Sequence, residues 1–269
     1  MKGLMRFFKK IFLNTSILLF INGLFLGLSI YFKLESNYED ALFTGIVETI
    51  IEDADPSVNV DSFFIATMRM THTLEVNRQN VFKDHKPKGL KADLLRPAVV
   101  DLMTGDGACG SYATVLARLL KAGGYKVRIA QMQVNGIVGG HMVVEARKRS
   151  GWIVLDPLLN QYFKKPDGTL ASFKEVQQNW NFYAKQISSK YVNDYKYEGV
   201  RYTNWGKIPL LGNAIKSIIS IFIGEEKTNE IAIRSYLLRK YHFFFLIMIS
   251  MYTISCFLLI ISVYRKKLH

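Results

Sequence analysis

Two runs without a single Asp, Glu, Lys or Arg bound what this chain can become. One covers residues 11–32, 22 positions, and the other residues 241–264, 24 positions. A helix needs about 20 apolar residues to cross the hydrocarbon core of a bilayer. Lys and Arg flank both runs, and Tyr and Phe sit near their ends, as at membrane interfaces. Each run reads as a transmembrane helix. The first is longer than the apolar core of a signal peptide, and no A-x-A-like site follows it, so it reads as an uncleaved anchor. Asn14 and Asn22 fall within it. They are expected to face protein or each other, because an unpaired amide in lipid is costly.

Basic residues orient the pair. Lys2, Arg6, Lys9 and Lys10 precede the first run, and Lys33 is the one basic residue in the twenty positions after it. That places the N-terminus in the cytoplasm. The second run has basic residues on both sides, Lys227, Arg234, Arg239 and Lys240 before it and Arg265, Lys266 and Lys267 after it. The first helix therefore decides. The expected topology is two spans in a plasma or inner membrane, with residues 1–10 and 265–269 cytoplasmic and residues 33–240 extracytoplasmic. The reverse topology is the rival, and a reporter fused after His269 separates the two.

The formal charge of +13 is largely a topological signal. Seven of the 35 basic residues lie outside 33–240 and none of the 22 acidic ones does, so the loop keeps 28 against 22, net +6. No Lys/Arg cluster interleaved with aromatics occurs, which argues against a nucleic-acid partner. The lipid bilayer is the partner that the apolar runs require.

Within the loop, residues 33–100 read as helical. Apolar residues at 38–52 follow one helical stripe, and a second helix is expected over 58–82, capped by Asn59 or Asp61. A basic loop with prolines follows, then a short helix over 91–103 broken by Pro97. From Tyr112 the positions 112, 115, 116, 119 and 120 fall on one face, and Gly123-Gly124 stops that helix. The period then changes to two. Strands are expected over 125–134, 141–147 and 152–157, with a loop at 135–140 and a turn at 148–151. A helix, then strands with short connections, indicates an antiparallel sheet packed on one helix, an α+β fold. A further helix is expected over 172–187, opened by a capping box of Ser172 and Glu175. An extended arm or short strand is expected in the aromatic-rich 191–205. Residues 101–205 form the core and its extension, and 206–240 an interfacial or connecting segment. The stretch 208–224 is apolar but interrupted by Pro209, Gly212 and Lys216. It reads either as a helix lying on the membrane or as an ordinary buried one.

The chain has two cysteines, Cys256 in the second apolar run and Cys109 in the loop. They are too differently placed to bridge, and a lone thiol in an oxidising compartment calls for a purpose. Cys109 lies in GDGACGSYA (105–113), at the start of a helix. Free N–H groups and the helix dipole there favour a thiolate and an adjacent oxyanion. His141 follows Gly139-Gly140 and opens a strand, and Asp156 closes the next one. Adjacent antiparallel strands can put His141 beside Asp156, and the sheet can bring His141 to the helix start. Nucleophile, base and orienter of the base make the triad logic of acyl transfer. No cofactor is called for, and His72, His85 and His141 are too scattered for a metal site. Glu145 shares the strand parity of His141 and is expected to pair with Arg128 or Arg147. Trp152 is expected to pack in the core. Asn77, Gln79 and Asn80 are upstream amides that qualify as oxyanion donors.

The blocks GACGSYATVLARLLKAGGYKVRIA (107–130), GGHMVVEA (139–146) and GWIVLDP (151–157), in this order, resemble the core of the transglutaminase-like superfamily. The resemblance covers about residues 100–160. It implies a papain-like α+β core, a helix bearing the Cys on an antiparallel sheet, here flanked by two transmembrane helices. It implies Cys109 as nucleophile, His141 as base and Asp156 as orienter. Gly110 stands where the vertebrate cross-linking enzymes carry Trp, and Val143 where many relatives carry an aromatic. Nothing resembles a calcium site. The resemblance therefore points to the wider family of peptidases, amidases and acyltransferases, acting on a peptide or protein amide near the membrane. That family also has inactive members, so a silent binding or assembly module of an envelope complex is the rival expectation.

Overall fold

The computed structural model describes residues 14–187, 195–208 and 211–267. The basic residues at 2–10, the start of the first apolar run, residues 191–194 of the aromatic arm and Pro209 lie outside the described residues. The chain divides into two compact units, Met1–Glu39 with Arg239–His269, and Asp40–Leu238.

Two helices dominate the first unit. Helix α1 is Thr15–Asp53, and α10 (the last in the chain) is Lys240–Lys267. Both are long and apolar enough to span a membrane. Their side chains meet in antiparallel order. Thr15 lies 3.2 Å from Ser262, Asn22 Nδ2 donates to Ser255 Oγ at 2.9 Å, and the rings of Phe32 and Phe244 are 5.3 Å apart. Asn22 Oδ1 also accepts from Cys256 Sγ at 2.8 Å, so this amide faces the partner helix as expected. Asn14 does not face protein. It is exposed, and its Oδ1 accepts from the N–H groups of Ser16 and Ile17, capping the first turn of α1. A polar residue at a helix end finds its partners in the unpaired backbone donors. The two helical segments expected at 11–32 and 38–52 are one helix, because no Gly or Pro separates them and Lys33–Glu39 is compatible with helix.

The second unit stacks helices on a sheet. Helix α2 is Val60–Phe82, with Asn59 as its cap, accepting from the N–H groups of Asp61 and Ser62. A π-helical turn at Leu90–Leu95 and helix α3 (Ala98–Thr104) flank Pro97. Helix α4 is Cys109–Ala122, followed by β1 (Lys126–Val134), β2 (Ile137–Lys148), β3 (Gly151–Asp156) and β4 (Gln161–Tyr162). Helices α5 (Phe173–Gln178) and α6 (Trp180–Tyr183) come next, then β5 (Val200–Arg201), α7 (Gly212–Ile223), α8 (Glu225–Asn229) and α9 (Ile233–Tyr236). The five strands are antiparallel in the order β4-β3-β2-β1-β5.

Period-2 patterning gives the sheet two apolar faces. Val127, Ile129, Val144, Ala146, Ile153 and Leu155 pack with Leu116, Leu119 and Leu120 of α4 and Phe63, Phe64 and Met68 of α2. Ala130, Met132, Val143 and Val154 pack with Phe163, Phe173, Val176, Tyr183 and Tyr197. Burial of roughly twenty such side chains, each worth about 1.5–3 kcal/mol, is the main force ordering the site.

Two sequence expectations change here, and one pair of alternatives narrows. Residues 135–140 are not a loop. Asn135 and Gly136, with φ of 49° and 79°, make a two-residue hairpin turn, and β2 begins at Ile137. His141 therefore lies within a strand rather than opening one. Residues 172–187 are not one helix. The Ser172–Glu175 capping box is present, but Asn179 leaves helical geometry with φ −125° and ψ 40° and splits it. Helix α7 is not an ordinary buried helix, since Gly212 is its one buried residue while Ile218, Ile221 and Phe222 are exposed.

Candidate active site

Cys109 is the first residue of α4, and the loop before it is tightly braced. Gly107 N–H donates to Ser111 Oγ at 2.6 Å, and Ser111 Oγ donates to Asp101 Oδ1 at 2.8 Å. Arg96 Nε reaches the same Asp101 oxygen at 3.2 Å. A Cβ at Gly107 would come within 2.6 Å of both Ser111 Oγ and Arg96 Nη2, so only glycine fits there. Ala108 joins loop to helix with φ 43° and ψ −130°, a conformation that costs an L-residue about 1–3 kcal/mol. The N–H of Cys109 makes no backbone hydrogen bond among the described residues, as expected for a first helical residue.

Opposite the helix start, the β1–β2 register slips after Met132↔His141, with Gln133 facing Val138. Gly139 and Gly140 form the resulting bulge immediately before His141. Bulges bend a strand and re-aim the next side chain. The His141 ring is 1% exposed and Asp156 0%. His141 Nε2 lies 2.6 Å from Asp156 Oδ2, and Asp156 Oδ1 accepts from Leu159 N–H at 3.2 Å. The half-buried Cys109 side chain lies close enough to this imidazole and to the backbone N–H of Met142 for both to act on its thiol. With Nε2 engaged by Asp156, Nδ1 is the ring nitrogen left for sulfur. Tyr195 stacks over the imidazole, ring centroids 4.3 Å apart.

Electrostatics follows the geometry. The Cys109 thiol is held below its ordinary value, first by the hydrogen bond from His141, against burial, with the imidazole charge and the Met142 N–H adding to it. For His141, burial alone favours the neutral ring. The charge and hydrogen bond of Asp156, then the contact with Cys109, reverse that and push it up to about 9. Both shifts favour a thiolate beside an imidazolium.

All three residues singled out in the sequence come together. Of the upstream amides, Gln79 alone reaches α4, where its Oε1 accepts from Tyr112 OH at 3.1 Å. Asn77 bonds Thr73 O within α2, and Asn80 is exposed. Glu145 pairs with Arg128 at 2.8 Å, directly across the strands. Trp152 is only half-buried. The Arg128 guanidinium lies over its ring at 4.2 Å and over that of Tyr202 at 4.0 Å, so the indole packs on a cation rather than in the apolar core. His72 Nδ1 lies 3.0 Å from Pro157 O. Among the described residues no group of three or more His, Cys, Asp or Glu is placed to hold a metal ion.

Sequence reasoning did not single out Tyr195, Met142, the Asp101–Ser111 brace or Glu75. Glu75 is fully buried on α2, and among the described residues neither of its carboxyl oxygens makes a hydrogen bond. Burial, then the nearby Asp101, pushes it up to about 8, against a smaller pull from Arg78. Its signal was available, since an acidic residue on the apolar face of a helix is anomalous.

No family model, no curated protein and no solved structure matches this chain.

Proposed function

We propose that this chain is a membrane-anchored cysteine enzyme of transglutaminase-like type with a papain-like core, acting on amide bonds through Cys109, His141 and Asp156. One observation carries the reading. A single buried imidazole lies 2.6 Å from Asp156 through Nε2 and close enough to Cys109, the first residue of a helix, to act on its thiol. In the proposed reaction the Cys109 thiolate attacks an amide carbonyl carbon. The oxyanion accepts from the Cys109 N–H. As the C–N bond breaks, the imidazolium gives its Nδ1 proton to the leaving amine, leaving a thioester. His141 then takes a proton from water or an acceptor amine, whose oxygen or nitrogen displaces sulfur. Asp156 holds the ring and its charge throughout.

The site is proposed to face away from the cytoplasm, with α1 and α10 in the bilayer and both termini cytoplasmic. The exposed apolar face of α7 is proposed to rest on the membrane surface, so that substrates are membrane-near peptides or proteins. The test is labelling of the full chain with iodoacetamide. Cys109 in the native protein is expected to react at least about tenfold faster than in His141→Ala, as loss of a general base removes a factor of this order or more. Equal rates would sink the enzyme reading in favour of a silent assembly module.

A further inference from the structure

Beside the site lies a cavity of about 270 Å³, lined in part by Gln131, Met142, Arg201, Asn204, Lys207 and Arg234. It is small for a drug-sized ligand and suits one side chain or terminal group. Its charge is one-sided, with three cations and no acidic residue among the described residues that line it. Arg201 Nε and Nη2 both donate to the neutral Gln131 Oε1, at 3.3 and 2.9 Å, which aims the guanidinium without neutralising it. Among the described residues Arg234 Nη1 donates to a thioether, Met142 Sδ, at 3.1 Å, and makes no ion pair. Lys207 makes no ion pair among the described residues. Elsewhere in this unit cations are matched, as in Arg128–Glu145, Lys148–Asp61 and Lys165–Glu175.

Met142 connects this cavity to the chemistry. Its Sδ meets Arg234 and lies 3.9 Å from a Cβ placed on Gly110, the residue after the nucleophile, and its backbone N–H helps hold the Cys109 thiol down. Met142, in the cavity's lining, thus stands beside the residue that follows the nucleophile. We propose that this cavity is a specificity subsite for a carboxylate carried by the peptide substrate, an acidic side chain or free C-terminus near the reacting amide. The inference rests on the cysteine-enzyme reading. Arg201 supplies an oriented fork, and Arg234 and Lys207 supply charge at the rim.

The experiment uses the full chain in phosphatidylcholine nanodiscs and paired alkylating probes. N-iodoacetyl derivatives of glycine, β-alanine and γ-aminobutyrate are each compared with the matching carboxamide, and labelling of Cys109 is followed by mass spectrometry. Rates are referred to N-acetylcysteine amide. The carboxylate form of at least one spacer is expected to label about tenfold faster than its carboxamide at low salt, with the advantage shrinking as ionic strength rises. Arg201→Gln and Arg234→Gln should each lower that ratio, and adding Lys207→Gln should bring it to the reference value. Arg149→Gln, in the exposed β2–β3 turn, should leave it unchanged. A ratio equal to the reference for every spacer, or one that survives the substitutions, overturns the subsite. Loss of the ratio in phosphatidylglycerol nanodiscs, with carboxamide labelling unaltered, also overturns it and assigns the cations to lipid phosphate. The carboxamide rate in native protein against His141→Ala separately reads the thiolate, so failure of the subsite and failure of the enzyme reading give different results.

Discussion

Cys109 and His141 make a pH prediction with a definite sign. The thiol is held below its ordinary value and the imidazole is raised to about 9, so the reactive ion pair occupies the window between them. Turnover of an amide substrate is expected to rise with pH as the thiol ionises. It should then fall as pH climbs through about 9, where the imidazolium loses the proton it gives to the leaving amine. Simple alkylation needs no proton donor and should not show the upper limb. A stopped assay from pH 5 to 10 in both modes checks this.

Glu75 makes a second prediction at the same scale. Its carboxyl is raised to about 8 in the folded chain. An unfolded chain releases this proton near 4.5, so stability is full below that pH and is lost progressively up to about 8. Replacing it by Gln should remove that loss. Glu75→Gln is expected to be more stable than the native chain above pH 8, by on the order of 3–5 kcal/mol, and close to it at pH 4. Thermal melts of both proteins in non-ionic detergent test it. Cys109 and Asp156 drew notice in the sequence because their residue types carry chemistry. Tyr195 and Met142 did not, because a ring that shields and a backbone N–H that donates have no sequence signature.

Among the elements, the joint between the braced loop and α4 is the most constrained. Ala108 sits at φ 43° where glycine carries no strain. Ala108→Gly removes that strain but also frees the unfolded chain by about 0.5–1 kcal/mol. The expected net is a gain of about 1 kcal/mol, near 2–4 °C in Tm for a unit of this size. An unchanged or lowered Tm would mean the loop, and not the residue, sets the conformation. Helix α4 and the β1–β3 order were legible because Leu116, Leu119 and Leu120 repeat at helical spacing and Val127, Ile129 and Val143 at strand spacing. The bulge at Gly139-Gly140 was read as a loop. Glycine pairs weaken strand patterning whether or not the ladder continues past them, and here it resumes at Ile137 because Asn135-Gly136 is itself a sufficient turn. The break at Asn179 was equally hidden, since Asn is tolerated inside helices and a single φ/ψ departure leaves the apolar repeat intact.

For the whole molecule, the pairing of α1 with α10 has a topological consequence. Thr15 with Ser262 and Asn22 with Ser255 match the two helices antiparallel, which puts Thr15 and Ser262 at the same end of the pair. A fluorescent-protein fusion after His269 is expected to be bright and an alkaline-phosphatase fusion there inactive. The opposite result would reverse the proposed orientation. Two charge-free runs, a cysteine at a helix start and a helix-then-strands order follow from the sequence by itself. Apolar length, 3.6-residue spacing and period-2 alternation are local properties, each set by neighbours within a few positions. Only the tertiary structure decided that Asp156 lies 2.6 Å from His141, that Tyr195 covers the ring, and that Arg201, Lys207 and Arg234 gather around one cavity. These groups come from segments far apart in the chain. Their meeting depends on strand register, on one bulge and on which faces of the sheet are buried, and such choices belong to the packed chain as a whole.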